Sequence, residues 1–234
     1  QREIAFENVS FGYDASGPFV LDNLNFRISK GARVGFIGPT GSGKSTAMDL
    51  LLGLLQPTSG RLIVDGVEVA GVARLAWQRN IAHVPQSVFL LDASFAENIA
   101  FGISIDHIDL ERVRLCAKQA RIQEFIESHP TSYQALVGER GVKLSGGQKQ
   151  RIGIARALYR NASVLVFDEA TSALDVETER AVMESIAELG RELTIVLIAH
   201  RVTTLRGCDC IYRLKNGRII AVGNYKDMVA SASS

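Results

Sequence analysis

The sequence predicts an α/β fold: a mainly parallel core sheet with an antiparallel β subdomain and an α-helical subdomain. Three observations predict it. RVGFIG (33–38), IAHV (81–84), SVLVFD (163–168) and TIVLIAH (194–200) are short and apolar on both faces, as suits central strands of a sheet covered on both sides. A glycine-rich loop, GPTGSGKST (38–46), joins the first of these runs to an apolar, helix-forming stretch. Between Phe95 and Tyr159 no strand pattern appears, and apolar residues recur at three-to-four spacing.

In chain order, the alternating patterns of EIAFENVSF (3–11) and NLNFRIS (23–29) predict antiparallel strands. RLIVDGVEV (61–69) predicts a hairpin, because Asp65-Gly66 is a favoured two-residue turn. MDLLLGLL (48–55) predicts a buried helix that anchors the preceding loop against the sheet. ERVRLCAKQARIQEFI (111–126) has the periodicity of an amphipathic helix within an inserted α subdomain. After the turn Lys215-Asn216-Gly217-Arg218 the tail returns to strand and a short helix. No Ser/Gly-rich linker, low-complexity tract or repeat interrupts the chain. One domain over 1–234 is therefore expected, with the α/β core and its β subdomain in 1–86 and 161–234 and the helical subdomain in 87–160.

A chain of 234 residues, 47% hydrophobic, can bury a large core. Lys and Arg number 26 against 25 Asp and Glu, a formal charge of +1, so no long-range field draws in nucleic acid or an anionic membrane. The three cysteines, Cys116, Cys208 and Cys210, are odd in number and include no C-x-x-C pair, which fits a reducing compartment and gives no zinc signature. The longest apolar run is broken by Gln56 and Pro57, short of the roughly 18 residues a spanning helix needs. The chain begins at Gln1 with no basic-then-apolar leader, so a segment cut from a longer protein is expected.

The chemistry is carried by three stretches. Gly38, Gly43, Lys44 and Ser45 occupy the fixed positions of G-x-x-x-x-G-K-[ST], in which glycines let backbone N–H groups wrap phosphates and a helix N-terminus adds its positive dipole. VLVFDE places Asp168 and Glu169 at the end of an apolar strand, where an open parallel sheet presents its ligands. LSGGQKQRIGIARAL (144–158) reads as a second anion site at a helix start near Ser145; a helix cap followed by a solvated basic face is the alternative reading.

GPTGSGKST, VPQ (84–86), LSGGQ (144–148), VLVFDE, SALD (172–175) and the histidine of IAHR (198–201) occur in the order and spacing of ATP-binding cassette (ABC) proteins. The chain resembles that family over essentially its whole length. The resemblance implies the P-loop NTPase fold of ABC ATPases, with ATP and Mg²⁺ as ligands. It implies that Lys44 reaches the β- and γ-phosphates, that Ser45 and Asp168 bind Mg²⁺, and that Gly38, Gly41, Ser42, Gly43 and Thr46 cradle phosphates. The resemblance further implies that Gln86 senses Mg²⁺ and the attacking water, that Glu169 is the base or water-positioner, and that His200 contacts the γ-phosphate. Tyr13, in FGYD, matches the aromatic that stacks on adenine, its alternative being a strand aromatic of the β layer. Ser145, Gly147 and Gln148 belong to the signature segment. His83, His107 and His129 receive no such role.

GERG (138–141) resembles the short motif of exporter-type cassettes that touches the membrane helices, although ALVGERG lacks the first two residues of the usual TEVGERG, so Glu139 matches only partly. The resemblance therefore implies the Mg²⁺-dependent ATPase of an ABC exporter at the cytoplasmic face of a membrane, a bacterial inner membrane by likeness. Its partners are then a transmembrane domain fused N-terminally and a second cassette, in an ATP-dependent homodimer or half-transporter dimer, with no nucleic acid. An importer ATPase and a soluble, non-transport cassette protein are the alternatives. The wording of 146–160 and of the tail is most like exporters of lipids, lipid-linked sugars or polysaccharide.

Overall fold

The computed structural model of the protein describes residues 2–14, 17–168, 174–188, 192–199 and 201–230. Strands β1 (Glu3–Phe11) and β2 (Leu21–Ser29) follow the two alternating stretches. β3 (Arg33–Ile37) precedes the glycine-rich loop and α1 (Lys44–Leu51) follows it. β4 (Ser59–Val64) and β5 (Val67–Glu68) form the expected hairpin, with Asp65 at φ 54° and Gly66 at φ 83°, the positive pair that a type I′ turn requires. α2 (Gly71–Asn80) leads into β6 (Ile81–Val84). Then come α3 (Phe95–Ile99), α4 (Leu110–Gln119), α5 (Gln123–Glu127) and α6 (Gly146–Tyr159). β7 (Val164–Asp168), α7 (Val176–Glu188) and β8 (Thr194–Ala199) follow, and the tail adds β9 (Cys210–Lys215), β10 (Arg218–Gly223) and α8 (Tyr225–Ala230).

Two units emerge. The first comprises Gln1–His83, Ser163–Glu169 and Arg191–Ser234, and the second Val84–Ala162 and Ala170–Gly190. In the first, an antiparallel sheet has the order β2-β1-β4-β5, and the larger sheet the order β10-β9-β3-β8-β7-β6. β3 lies between β8 and β9 and pairs parallel with both, β7 pairs parallel with β8, and only the β9–β10 pair at one edge runs antiparallel among the pairs with a defined register. Every residue of β8 is buried, which explains its unbroken apolar run. Phe6 stacks on Phe26 at 4.3 Å between centroids, and Phe26 meets Phe36 and Tyr212, so one aromatic seam joins β1, β2, β3 and β9.

Helix α1 packs Met48, Leu50 and Leu51 into this core. It stops at Leu51, four residues short of the expected Leu55. Gly53 takes φ 69°, its N–H donates to Leu50 O, and Leu54 N–H donates to Asp49 O, a left-handed turn that closes the helix and leaves Leu54 61% exposed. Helix α2 was not legible in the sequence, because Trp77 is its only buried side chain and Val72 and Leu75 face outward. It is fixed by end contacts instead. Trp77 Nε1–H donates to Leu51 O at 2.6 Å and Gln78 Nε2 donates to Gly53 O at 2.8 Å, so α2 satisfies carbonyls that the end of α1 leaves open.

In the second unit α6 packs against α3 and α4. Helix α3 starts with a reciprocal capping box: Glu97 N–H donates to Ser94 Oγ, and Ser94 N–H donates to Glu97 Oε2. The fully buried Asn98 side chain accepts from Leu91 N–H and donates to the carbonyls of Leu91 and Ser94, pinning the segment that precedes the helix. The His129 ring sits edge-on to Phe95 and Phe125, and its Nδ1 hydrogen-bonds Phe125 O at 2.9 Å, a packing role.

Trp77→Ala removes a buried ring and the donor to Leu51 O, so it should lower stability by about 3–5 kcal/mol in urea unfolding. Leu54→Ala should stay within about 0.5 kcal/mol of the parent. The reverse ranking would contradict the placement of the α1 terminus.

Candidate active site

The glycine-rich loop is shaped by close approaches. A Cβ on Gly38 would lie 2.3 Å from Leu214 O, so only glycine lets the loop leave β3 against the backbone of β9. Gly43, at φ 97°, caps α1, and a Cβ there would meet Leu21 Cδ2 at 2.6 Å. The loop is held from outside by Gly217 N–H donating to Ser42 O at 3.1 Å, and from within by Ser42 N–H donating to Pro39 O at 3.1 Å.

Helix α1 starts with no side-chain cap. Lys44, only 5% exposed, turns back over the loop and donates from Nζ to Gly38 O at 2.8 Å and Pro39 O at 3.1 Å. Ser42 is 3% exposed, and its Oγ has no hydrogen-bond partner among the described residues. Gly41 faces open space. An uncapped helix start, a buried ammonium and an orphaned hydroxyl in one loop fit a polyanion such as a nucleotide phosphate chain.

Tyr13 follows β1, is 64% exposed, and sits edge-on to Phe11 at 5.0 Å. Its hydroxyl hydrogen-bonds that of Thr46, in the first turn of α1, at 3.3 Å. The ring is thus presented beside the loop instead of being packed into the β layer.

Asp168 ends β7, opposite Ile198 of β8. Ser45 is exposed at the start of α1. A hydroxyl and a carboxylate are hard oxygen donors of the kind Mg²⁺ takes beside water and phosphate, so the residues present fit that ion. Two neighbours of Asp168 were not legible in the sequence. Burial raises the pKa of Asp49, which His83 opposes and Asp168 reinforces. Desolvation lowers the pKa of His83 below its ordinary value, against the attraction of Asp168 and Asp49. Strand alternation hides this group, because Asp49 lies in an apolar helix and His83 in an apolar strand. Glu169 and His200 lie outside the described residues.

Gln86 and the signature segment belong to the second unit. Gln86 is exposed just beyond β6. Ser145 caps α6: Gln148 N–H donates to Ser145 Oγ at 3.2 Å and Ser145 N–H donates to Gln148 Oε1 at 2.8 Å. Gly147 lies in the first turn of the same helix. Glu139 opens a tight 3₁₀ turn in which Arg140 takes φ 50° and its carbonyl accepts from Lys149 Nζ at 3.0 Å. Asp175 of SALD caps α7, accepting from Thr178 N–H at 2.9 Å.

The sequence model described as ABC transporter matches residues 21–172. The chain is 41% identical to an ATP-dependent lipid A-core flippase of Albidiferax ferrireducens, over 99% of this chain and 40% of that protein. It is 40% identical to the β-(1→2)glucan export ATP-binding/permease protein NdvA of Rhizobium meliloti, over 98% of this chain and 39% of that protein. To the leukotoxin translocation ATP-binding protein LktB of Mannheimia glucosida it is 41% identical, over 100% of this chain and 33% of the relative. A solved bacterial Atm1-family ABC exporter with ATP bound superposes with a TM-score of 0.92 at 38% identity, covering 99% of this chain and 40% of the other. The chain thus spans two fifths or less of the length of these relatives.

The His83 shift has a definite sign. Its folded pKa lies below the ordinary 6.5, so the unfolded chain takes up the proton first and stability falls as pH drops through that value toward the folded pKa. Asp49→Asn removes a charge that favours the imidazolium. The NMR titration midpoint of His83 should then fall further, and a rise would contradict the described cluster.

Proposed function

Since this chain belongs to the ABC transporter family, we propose that it is the ATP-binding and ATP-hydrolysing domain of a membrane exporter. One observation carries the reading: the uncapped start of α1 with its buried Lys44 shares the chain with a second, capped helix start at Ser145, at the spacing of the family's two phosphate-facing motifs.

In this reading the N–H groups of the Gly41–Thr46 stretch line the phosphate chain, and Lys44 offsets the repulsion between β- and γ-phosphates. Tyr13 offers its exposed face to adenine, with area but no hydrogen-bond code for the base. Ser45 and Asp168 would hold Mg²⁺, assisted by Gln86, and that ion supplies charge neutralisation as the terminal phosphoryl group leaves. Glu169 orients the attacking water and His200 contacts the γ-phosphate. Two copies arranged head to tail place the Ser145 segment of each against the nucleotide held by the other. ATP then joins the halves and hydrolysis releases them, which is how the domain would drive membrane helices between two states.

Export is favoured over import by the relatives, which are described as a flippase, a glucan exporter and a toxin translocator. GERG, the exporter-type turn, supports the same choice. Lipid, lipid-linked sugar or polysaccharide is the proposed cargo class, by likeness to the first two of those relatives. Among the described residues no helix is long and apolar enough to cross a membrane, so the spanning part of such an exporter would lie outside these 234 residues, and this domain would act at the cytoplasmic face.

Lys44→Ala should abolish ATP turnover and most nucleotide affinity, and parent-like turnover in that variant would refute the site. Glu169→Gln should bind ATP, hydrolyse it slowly and accumulate as a dimer in light scattering, whereas Ser145→Arg should stay monomeric while still binding ATP. A Glu169→Gln variant that remains monomeric in saturating ATP, with parent activity strictly proportional to protein concentration, would refute the shared-site mechanism.

A further inference from the structure

Three residues of α6, spaced three apart and therefore on one side of the helix, meet the segment that leaves β6. Gln150, 2% exposed, donates from Nε2 to Gln86 O at 3.2 Å and to Pro85 O at 3.4 Å. Gly153 has no side chain where a Cβ would lie 2.6 Å from Val88 Cγ2, so the helix approaches Val88 more closely than any other residue would allow. Arg156 donates from Nη1 to Phe89 O at 3.0 Å and from Nε to Asn98 O at 2.9 Å, with its guanidinium 4.6 Å from the Phe101 ring centroid. Residues 85–89 are thus strapped along α6 by an amide, a close packing contact and a guanidinium in turn. The helix so strapped is the one that Ser145 caps.

We propose that Gln150 is a positioning residue for ATP turnover: its buried amide ties the backbone that carries Gln86 to the helix that carries Ser145, so that the two segments move as one body. The inference rests on the function proposed above and adds a residue that contacts neither nucleotide nor metal. Its physical basis is the pair of carbonyls of Pro85 and Gln86. A side-chain amide with two N–H groups serves both, from a position that is itself buried. The strap makes the orientation of Gln86 depend on the position of α6, and the position of Ser145 depend on what Gln86 touches. Lys149 and Arg151, on either side of Gln150 in the sequence, reach Arg140 O and Arg121 O, so only Gln150 of the three is committed to the glutamine segment.

Gln150→Met keeps the length and volume of the side chain and removes both donors. It should lower kcat by roughly 10- to 100-fold, as a displaced catalytic segment does, while KM for ATP stays within about twofold. In a Gln86→Ala background the same substitution should cost little more, because the two residues act through one segment. Equal fold-losses in the two backgrounds, or an unchanged kcat, would overturn the proposal. Hydrogen exchange without nucleotide supplies the second readout. The variant should exchange faster at residues 86–89 while α6 keeps its protection, and loss of protection throughout α6 would mean general destabilisation and overturn the strap. A parent chain without Lys44-dependent turnover would count against the proposed function, and the exchange measurement would still decide whether Gln150 holds the segment.

Discussion

Helix α1 begins with backbone N–H groups that no side chain caps, and much of the first unit is arranged around that demand. Glycine at the cap position costs only a few tenths of a kcal/mol relative to a capping hydroxyl, so the local loss is small. What it leaves is directional: donors pointing out of a helix start, with a positive dipole behind them. Holding such a start in place requires an anchor at the other end. Met48, Leu50 and Leu51 supply it, each worth about 1.5–3 kcal/mol when fully buried, and Trp77 from α2 occupies the last carbonyl of the helix. The loop is then pinned from the side by Gly217, which itself accepts at its carbonyl from Asp22 N–H at 2.9 Å.

The strands were legible because their burial writes itself into sequence. A half-buried strand alternates, as β2 does over most of its length, and a fully buried one such as β8 runs apolar throughout, whereas β1, between β2 and β4 and interrupted by register shifts, buries Ile4–Phe6 and Val9–Phe11 as two runs. The tight turns were legible because Asp65-Gly66 and Asn216-Gly217 both need positive φ, which few residue types tolerate. The end of α1 was not, since Leu52 to Leu55 continue the apolar composition while Gly53 turns the chain left-handed. α2 was invisible for the opposite reason: contacts at the end of another helix hold it, and composition records no such contacts. The spacing of Gly38, Gly43, Lys44 and Ser45 pointed to the loop that leads into α1, but nothing pointed to Asp49, His83 and Gln150, because a polar residue in an apolar element gives no sign of which partner it meets.

Burying Lys44 and Gln150 illustrates two uses of a polar side chain in a core. A buried charge is costly unless its donors are met, and Lys44 meets two carbonyls of its own loop. Both carbonyls are neutral acceptors, weaker partners for an ammonium than an anion would be. Gln150 is neutral, and its partners lie on a separate segment of chain. The first arrangement keeps a charge available, and the second fixes geometry with an amide, whose desolvation costs less than that of a charge.

The two helix starts also divide their work. At α1 the donors are left open by glycine, whereas at α6 a reciprocal box between Ser145 and Gln148 satisfies the Gln148 N–H of the first turn and the N–H of the cap residue itself. The box does not spend everything. Ser145 Oγ accepts within it, so the hydroxyl proton remains to donate outward, and Gln148 uses its carbonyl oxygen, so its amide N–H groups remain as well. Both side chains are held in one rotamer by the box before any anion arrives, which lowers the ordering cost of binding. An open start can hold an anion by itself, while a capped start offers a few fixed donors that gain most from an anion already held elsewhere. The proposed site shared between two copies would draw on that asymmetry, one face retaining the ligand and the other closing on it.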